Sequence, residues 1–155
     1  MYKTILVPHG GTPAGDESLR HAMHLAKTDS AKIIVLHVVE SIPIPPSFAL
    51  SQSEREKLVN NIDDANKTIK QSMEKVLADK IEELGTETII EVKVVEGDAA
   101  EEILRIVLER DVDLIVMAKR RKLKGLKKLL SLGSVSRKIV EHVTCPVYLI
   151  DIGDI

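Results

Sequence analysis

The chain has 155 residues, of which 44% are hydrophobic, so its length and composition suit one domain with a buried core, expected over residues 1–155. Its net charge is −2, yet residues 119–128 hold seven Lys or Arg, while the rest of the chain holds 15 basic and 24 acidic residues. A local basic stretch on an acidic body predicts one focused anion site and argues against a broad nucleic-acid surface.

Cysteine content and the first residues favour a cytoplasmic protein. Cys145 is the only cysteine, which excludes an internal disulfide and a cysteine-rich metal cluster. The opening MYKTILVPHGG lacks the basic start, long apolar stretch and small-residue cleavage site of a signal peptide. No apolar run approaches the ~20 residues needed to span a bilayer, so neither secretion nor membrane insertion is expected.

The first elements alternate between strand and helix. Residues 3–8 (KTILVP) form a short apolar run that ends at Pro and two glycines, which predicts a buried strand and a turn. Residues 15–27 then carry apolar residues at helical spacing. Residues 32–39 (KIIVLHVV) are apolar almost throughout and β-branched, as expected for a strand covered on both faces of a parallel sheet.

A long amphipathic helix is predicted next. The stretch ESIPIPPSF interrupts regular structure with three prolines, and Ser51 with Glu54 forms a potential capping box. From there to Gly85 the apolar residues step by threes and fours: Leu58, Ile62, Ala65, Ile69, Met73, Leu77, Ile81 and Leu84. Packing of this stripe onto the sheet is the default expectation, and binding of a partner helix is the alternative.

The second half repeats the alternation. Residues 88–97 predict a third strand, and Asp98 with Glu101 predicts a capped helix behind it. Residues 113–118 (DLIVMA) predict a fourth strand, a fourth helix begins near Gly133, and residues 146–150 predict a fifth strand. The order predicts a single α/β domain with an open, largely parallel sheet. Ligands of such sheets bind beyond the carboxyl ends of the strands, where HGGT and KRRK follow the first and fourth strands.

In this order and spacing, YKTILVPHGGT, LHVVE, EGDAAEEIL, DLIVMA, LGSVSRKIVEH and CPVYLI resemble the universal stress protein family over essentially the whole chain. The resemblance implies a Rossmann-like sheet of five strands in the order 3-2-1-4-5, with helices on both faces. It also implies a homodimer built through the last strand. Strands one and four would then be neighbours, and the two loops named above would face one crevice.

Some members of that family bind ATP through G-x-x-G after strand four, followed by nine residues and Gly-Ser or Gly-Thr. Here Gly133 and Ser134 retain the final part, but Ala118 and Arg121 stand where the two glycines belong, and eleven residues separate Arg121 from Gly133. Glycines there let backbone N–H groups approach phosphate without an intervening side chain. Only half of the motif is therefore present, and the basic residues 119–128 are the candidate replacement for its phosphate clamp.

A second departure follows strand one. Family members that bind ATP commonly carry P-x-D, and Pro8, His9 and Gly10 occupy those positions without the Asp. The lost polar contact is typically worth ~1 kcal/mol, or two to three times as much if charged. By the same resemblance, Val38 and Met117 match positions on the adenine and ribose side. The complete set of nucleotide-binding candidates is Pro8, His9, Gly10, Val38, Met117, Ala118, Arg121, Gly133, Ser134, Val135 and Ser136.

The functional expectation is a non-enzymatic regulatory protein of the stress response that binds an adenine nucleotide, such as ATP with Mg²⁺, or another phosphate ligand. One alternative is a member that has lost nucleotide binding and acts as a structural or protein-interaction dimer; another is a slow nucleotide hydrolase. For Gly133 and Ser134 the competing interpretation is an ordinary helix start capped by Ser, and for the basic run it is a solvated loop. The histidines, including His21 and His24, form no metal pattern.

Overall fold

A computed structural model describes residues 1–119 and 132–152. Within them, five parallel strands form one sheet in the order β3-β2-β1-β4-β5. The strands are β1 (Thr4–Pro8), β2 (Lys32–Glu40), β3 (Ile90–Gly97), β4 (Leu114–Lys119) and β5 (Val147–Asp151). The helices are α1 (Pro13–Asp29), α2 (Gln52–Glu83), α3 (Ala99–Glu109) and α4 (Ser134–His142). The predicted fold class and strand order are confirmed, while Arg121 and most of the basic run lie outside the described residues.

The sheet is buried on both faces. Four consecutive residues of β2, from Ile33 through Leu36, are at most 1% exposed, which explains why their sequence shows no polar alternation. On one face, Ile5, Val7 and Leu77 belong to a core formed with α1 and α2. On the other, residues of β1, β2 and β4 pack against α3 and α4. Helices therefore cover both faces, as predicted.

Local end signals are confirmed for two helices. Ser51 and Glu54 form both hydrogen bonds of the capping box at the start of α2. Asp98 accepts a hydrogen bond from the backbone N–H of Glu101 at the start of α3. Sequence-local rules are sufficient here because donor and acceptor lie three residues apart.

The apolar stripe of α2 is only partly buried, in contrast to the default expectation. Leu77 is 1% exposed, but Ile69 is 43% exposed and Leu84 is 40% exposed. The first buried residue of the helix is Asn66, whose amide lies against Glu96 near the end of β3. The fourteen helical residues before Asn66, ~21 Å of helix, therefore extend past the carboxyl edge of the sheet and gain little from the core.

Candidate functional site

The carboxyl ends of β1 and β4 lie side by side. Ile5 pairs with Leu114 and Leu6 pairs with Ile115, in parallel register. The loop after β1 and the end of β4 therefore meet at one edge of the sheet, as the predicted strand order requires. This edge is the candidate site.

The loop after β1 is organised by His9, a buried residue that uses all its polar atoms. Its backbone N–H donates to the Leu36 carbonyl at 2.8 Å, and its carbonyl accepts from His37 Nδ1 at 2.7 Å. In the side chain, Nδ1 accepts from the Gly11 N–H at 3.0 Å, so the proton is on Nε2, which lies 3.1 Å from Asp16 Oδ1. The imidazole is thus a neutral ring with a defined tautomer.

Two glycines make room for this arrangement. A Cβ on Gly15 would lie 2.7 Å from three atoms of the His9 ring, and equal distances to three ring atoms place it over the ring face. Gly11 has a φ of +72°, and its Cβ would come within 3.1 Å of Met73 Cε from α2. Neither position accepts a side chain without displacing a neighbour.

Asp16 connects the loop to the long helix. Lys80 Nζ donates to both carboxylate oxygens of Asp16, at 2.8 and 2.7 Å. Burial acts to raise the pKa of Asp16, but the hydrogen bonds and charge of Lys80, together with His9, outweigh it and leave that pKa below its usual value. Burial lowers the pKa of His9, and the attraction of Asp16 only partly opposes this.

On the β4 side, Met117 is 5% exposed and belongs to the core beneath α3 and α4. Ala118 is an ordinary strand residue that pairs with Ile150, and it is not among the described residues with positive φ. Alanine is therefore tolerated where the family motif has its first glycine. Lys119 closes the strand with its ammonium 3.3 Å from Asp151 Oδ2.

The start of α4 has no side-chain cap among the described residues. Gly133 is the N-cap, in extended conformation. Ser134 is the first helical residue and exposed, so the alternative in which Ser caps the helix is wrong. Val135 packs on the core and Ser136 is buried. Because α4 leads back to a strand parallel to β4, it begins at the carboxyl edge.

The candidates divide between the two faces of the sheet. Val38, Met117 and Val135 share the core that α3 and α4 cover. The His9 side chain is directed instead toward Gly15 of α1. Pro8 ends β1 and exposed Gly10 follows; among the described residues, an added Cβ on Gly10 would come within 4 Å of Thr12 atoms alone, at 3.8 and 3.9 Å. The structure therefore gathers the apolar candidates with α4 and separates the His9 side chain from them.

Asp16, Lys80, Gly15 and His37 were missed at the sequence level. A signal existed for two of them, because Gly15 and Asp16 follow His9 in the first turn of a predicted helix. Lys80 lies 64 residues from Asp16 along the chain, and no spacing rule connects them.

The described residues contain no group of three or more His, Cys, Asp or Glu that could hold a metal ion. Among the same residues, no helix is long and apolar enough to cross a membrane.

Comparison with known proteins gives a consistent result. The family model described as the universal stress protein family matches residues 1–151. A universal stress protein of Methanothermobacter thermautotrophicus is 35% identical over 153 residues, covering 97% of this chain and 96% of that one. A universal stress protein solved in complex with cAMP superposes with a TM-score of 0.67 at 18% identity, covering 98% of both chains. An Arabidopsis thaliana protein of the family with AMP bound superposes with a TM-score of 0.62 at 19% identity, covering 98% of this chain and 93% of that one. The chain belongs to the universal stress protein family.

Proposed function

We propose that this chain is a non-enzymatic regulatory protein of the stress response that binds an adenine nucleotide at the carboxyl edge between β1 and β4. The observation that carries the proposal is the start of α4, where exposed Ser134 begins a helix that no side chain of the described residues caps, at that edge. Free N–H groups and the helix dipole favour an anion such as phosphate. The family relatives with cAMP and AMP bound support the choice of an adenine nucleotide.

The base and ribose would lie on the apolar side of this edge. Val38 and Val135 are half-buried and pack against the same core as Met117, and apolar side chains of this kind are ones on which a purine ring packs. Pro8 and Gly10 would border the ligand from the loop after β1. We assign His9 to holding that loop, because its polar atoms are already engaged.

The phosphates would be held by backbone N–H groups of Ser134, Val135 and Ser136. Gly133 precedes them in extended conformation, and Ala118 is a strand residue without positive φ. Arg121 and its basic neighbours remain the predicted clamp for the outer phosphates. With ATP, Mg²⁺ would enter as the counter-ion of the phosphates, with no dedicated set of protein carboxylates to receive it among the described residues.

We also propose that the single domain acts as a cytoplasmic homodimer paired through β5. Within the described part of the chain, β5 pairs only with β4, so its other edge is open to a second copy. Tyr148 is 43% exposed on this strand, and an open edge with an exposed aromatic favours strand pairing. Sedimentation of the wild-type chain tests this, and a concentration-independent monomer would contradict it.

Calorimetric titration with AMP, cAMP and ATP·Mg²⁺ at ~0.1 and ~0.5 M salt, which spans the screening range, tests nucleotide binding. Saturable binding of one nucleotide per chain is expected, with ATP more weakened by salt than AMP because it carries more charge. No heat at millimolar nucleotide, with none released on denaturation, would instead favour the protein-interaction dimer. Phosphate release above blank that disappears in a folded Ser134→Ala variant would favour the hydrolase.

A matched pair of variants tests the role of the helix start. Ser134→Pro removes one N–H at the first helical position, where proline is compatible with the helix, and the extended Gly133 suits a following proline. Ser134→Ala keeps the N–H and removes only the hydroxyl. We expect the Pro variant to bind AMP about tenfold more weakly and the Ala variant to bind less than threefold more weakly. Equal binding by wild type and the Pro variant would exclude the α4 N-terminus as the phosphate site.

A further inference from the structure

His9 holds the loop at residues 10–12 because one nitrogen of its ring accepts a hydrogen bond and the other donates one. Gly11 requires an unprotonated acceptor at Nδ1, and Asp16 requires a donor at Nε2. Only the neutral ring with its proton on Nε2 can make both hydrogen bonds. The conformation of the loop is therefore coupled to the protonation state of one buried side chain.

We propose that His9 is a pH-dependent positioning residue: its neutral imidazole holds residues 10–12 in the conformation that borders the nucleotide, and a proton on Nδ1 releases them. The inference deepens the proposed function and, as far as ligand binding is concerned, rests on it. The behaviour of the loop itself can be measured without any ligand.

A second proton on the His9 ring sets two hydrogen-bond donors against each other, and movement of the ring cannot relieve this conflict. Protonated Nδ1 would direct a donor at the Gly11 N–H across 3.0 Å. The ring face is against Gly15, so a shift in that direction is blocked. The backbone of His9 is tied on both sides, to Leu36 and to His37 of β2. Gly11 is the partner that must move, and its glycine conformation permits other positions.

Burial of the His9 ring is the largest effect opposing its protonation. Asp16, from α1, attracts a proton, but its carboxylate is already bound through both oxygens by Lys80 of α2. Lys80 and His37 of β2 both act against a positive charge on His9. The loop is therefore held at neutral pH and released only in acid.

The direct test is NMR of the ¹⁵N-labelled full-length wild-type chain between pH 7.5 and 5.0. Long-range ¹H–¹⁵N correlations at pH 7.5 should show His9 protonated on Nε2 alone. As His9 takes up its second proton, the Gly11 amide signal should shift with the same midpoint, and its protection from hydrogen exchange, corrected for intrinsic rate, should fall about tenfold. A proton on Nδ1 at pH 7.5, or a Gly11 amide signal that does not shift with the His9 titration, would overturn the proposal.

Two variants separate positioning from simple packing. In His9→Asn the amide oxygen lies near the position of Nδ1 and cannot titrate, so Gly11 should stay protected down to pH 5.0. In His9→Gln the amide reaches toward Asp16 instead, and Gly11 should lose protection already at pH 7.5. The opposite ranking of the two variants, each confirmed as folded by circular dichroism, would contradict the assignment of Nδ1 as the loop's acceptor.

Titration of AMP at pH 7.5 and 5.5 then connects the loop to the ligand. Wild type should bind about fivefold more weakly at pH 5.5, and His9→Asn should bind equally at both values. If wild type binds no AMP at either pH but the Gly11 amide signal still follows the His9 titration, the proposed nucleotide binding is wrong and the pH-dependent positioning of the loop stands. If AMP binds with the same pH dependence to wild type and to His9→Asn, the proposed coupling between the loop and the ligand is wrong.

Discussion

The imidazole of His9 lies face-on against the backbone of Gly15, so close that a Cβ on residue 15 would be 2.7 Å from three of its ring atoms. This contact explains a glycine within the first turn of α1, where alanine has the better helix propensity by ~1 kcal/mol. The position is occupied by glycine because the ring of His9 needs the space. Packing has therefore overridden local helix preference.

Gly15→Ala should destabilise the protein by about 1 to 3 kcal/mol, the usual cost of overpacking, instead of giving the stabilisation that helix propensity predicts. Urea unfolding measures the change. In a His9→Ala background the ring is gone, and the same substitution should become neutral or stabilising. Equal costs of Gly15→Ala in both backgrounds would show that the contact with His9 does not set the residue type.

Stability should fall as the pH drops through ~6.5, the value at which His9 is half-protonated in the unfolded chain. The pKa of His9 is lower in the folded state, so between the two values the unfolded state binds more protons and folding weakens. Asp16 also has a lowered pKa, but its contribution is lost only below ~4. Urea unfolding at pH 7.5, 6.0, 5.0 and 3.5 separates the two windows.

The matched control is His9→Asn, whose free energy of unfolding should depend less on pH between 7.5 and 5.0 than that of wild type. It should keep the loss below pH 4, because Asp16 and Lys80 are unchanged. Parallel curves for wild type and variant over the upper window would rule out His9 as the group responsible.

Sequence alone predicts the alternation of strands and helices, the helix bounds within a few residues and two capped helix starts, since each depends on apolar spacing or on partners three residues apart. The strand order comes from the family resemblance. Sequence also places Gly133 and Ser134 at a helix start. It does not predict that His9 is directed away from Val38 and Met117, because that depends on which face of a short strand α1 covers. The ion pair of Asp16 with Lys80 depends on how two helices pack.

Restoring an acid at residue 10 should strengthen nucleotide binding. Gly10 stands where ATP-binding relatives commonly carry Asp, and the nearest atoms of the described residues to an added Cβ lie 3.8 Å away. Gly10→Asp should therefore fold normally and bind AMP three- to tenfold more tightly, as one added polar contact allows. Gly11→Asp is the control, since its φ of +72° and the nearby Met73 make it strained. If a folded Gly10→Asp variant shows no gain in affinity, residue 10 does not contact the ligand.

The capping box should stabilise the extended start of α2 locally. Ser51→Ala removes a hydroxyl that accepts from the Glu54 N–H at 3.3 Å and donates to its carboxylate at 2.5 Å. Because this part of α2 has few core contacts, amide exchange in the first two turns should accelerate about fivefold while the midpoint of urea unfolding hardly changes. Ser53→Ala, in the same turn, is the control. A large shift of the global midpoint would show that the start of α2 unfolds only with the core.

Asn66 is buried to 98%, and it donates to Glu96 Oε1 at 2.7 Å, while its own Oδ1 has no hydrogen-bond partner among the described residues. Asn66→Asp would place a second carboxylate against Glu96 in this buried position. We expect a loss of about 2 to 4 kcal/mol at pH 7, because the new carboxylate would be buried beside the negative charge of Glu96. Binding a proton relieves the repulsion between the two carboxylates in the folded state, so the deficit should shrink as the pH falls toward 5.

Asn66→Leu distinguishes charge from the loss of a hydrogen bond. It removes the unpartnered Oδ1, and the exposed Glu96 exchanges its amide partner for water, so the free energy of unfolding should change by less than about 1 kcal/mol. Equal losses for Asn66→Leu and Asn66→Asp at pH 7 would mean that the Asn66 hydrogen bond holds α2 on β3. A much smaller loss for Leu would mean that α2 is held there by packing around Leu77, and that Asn66 is tolerated because its amide is uncharged.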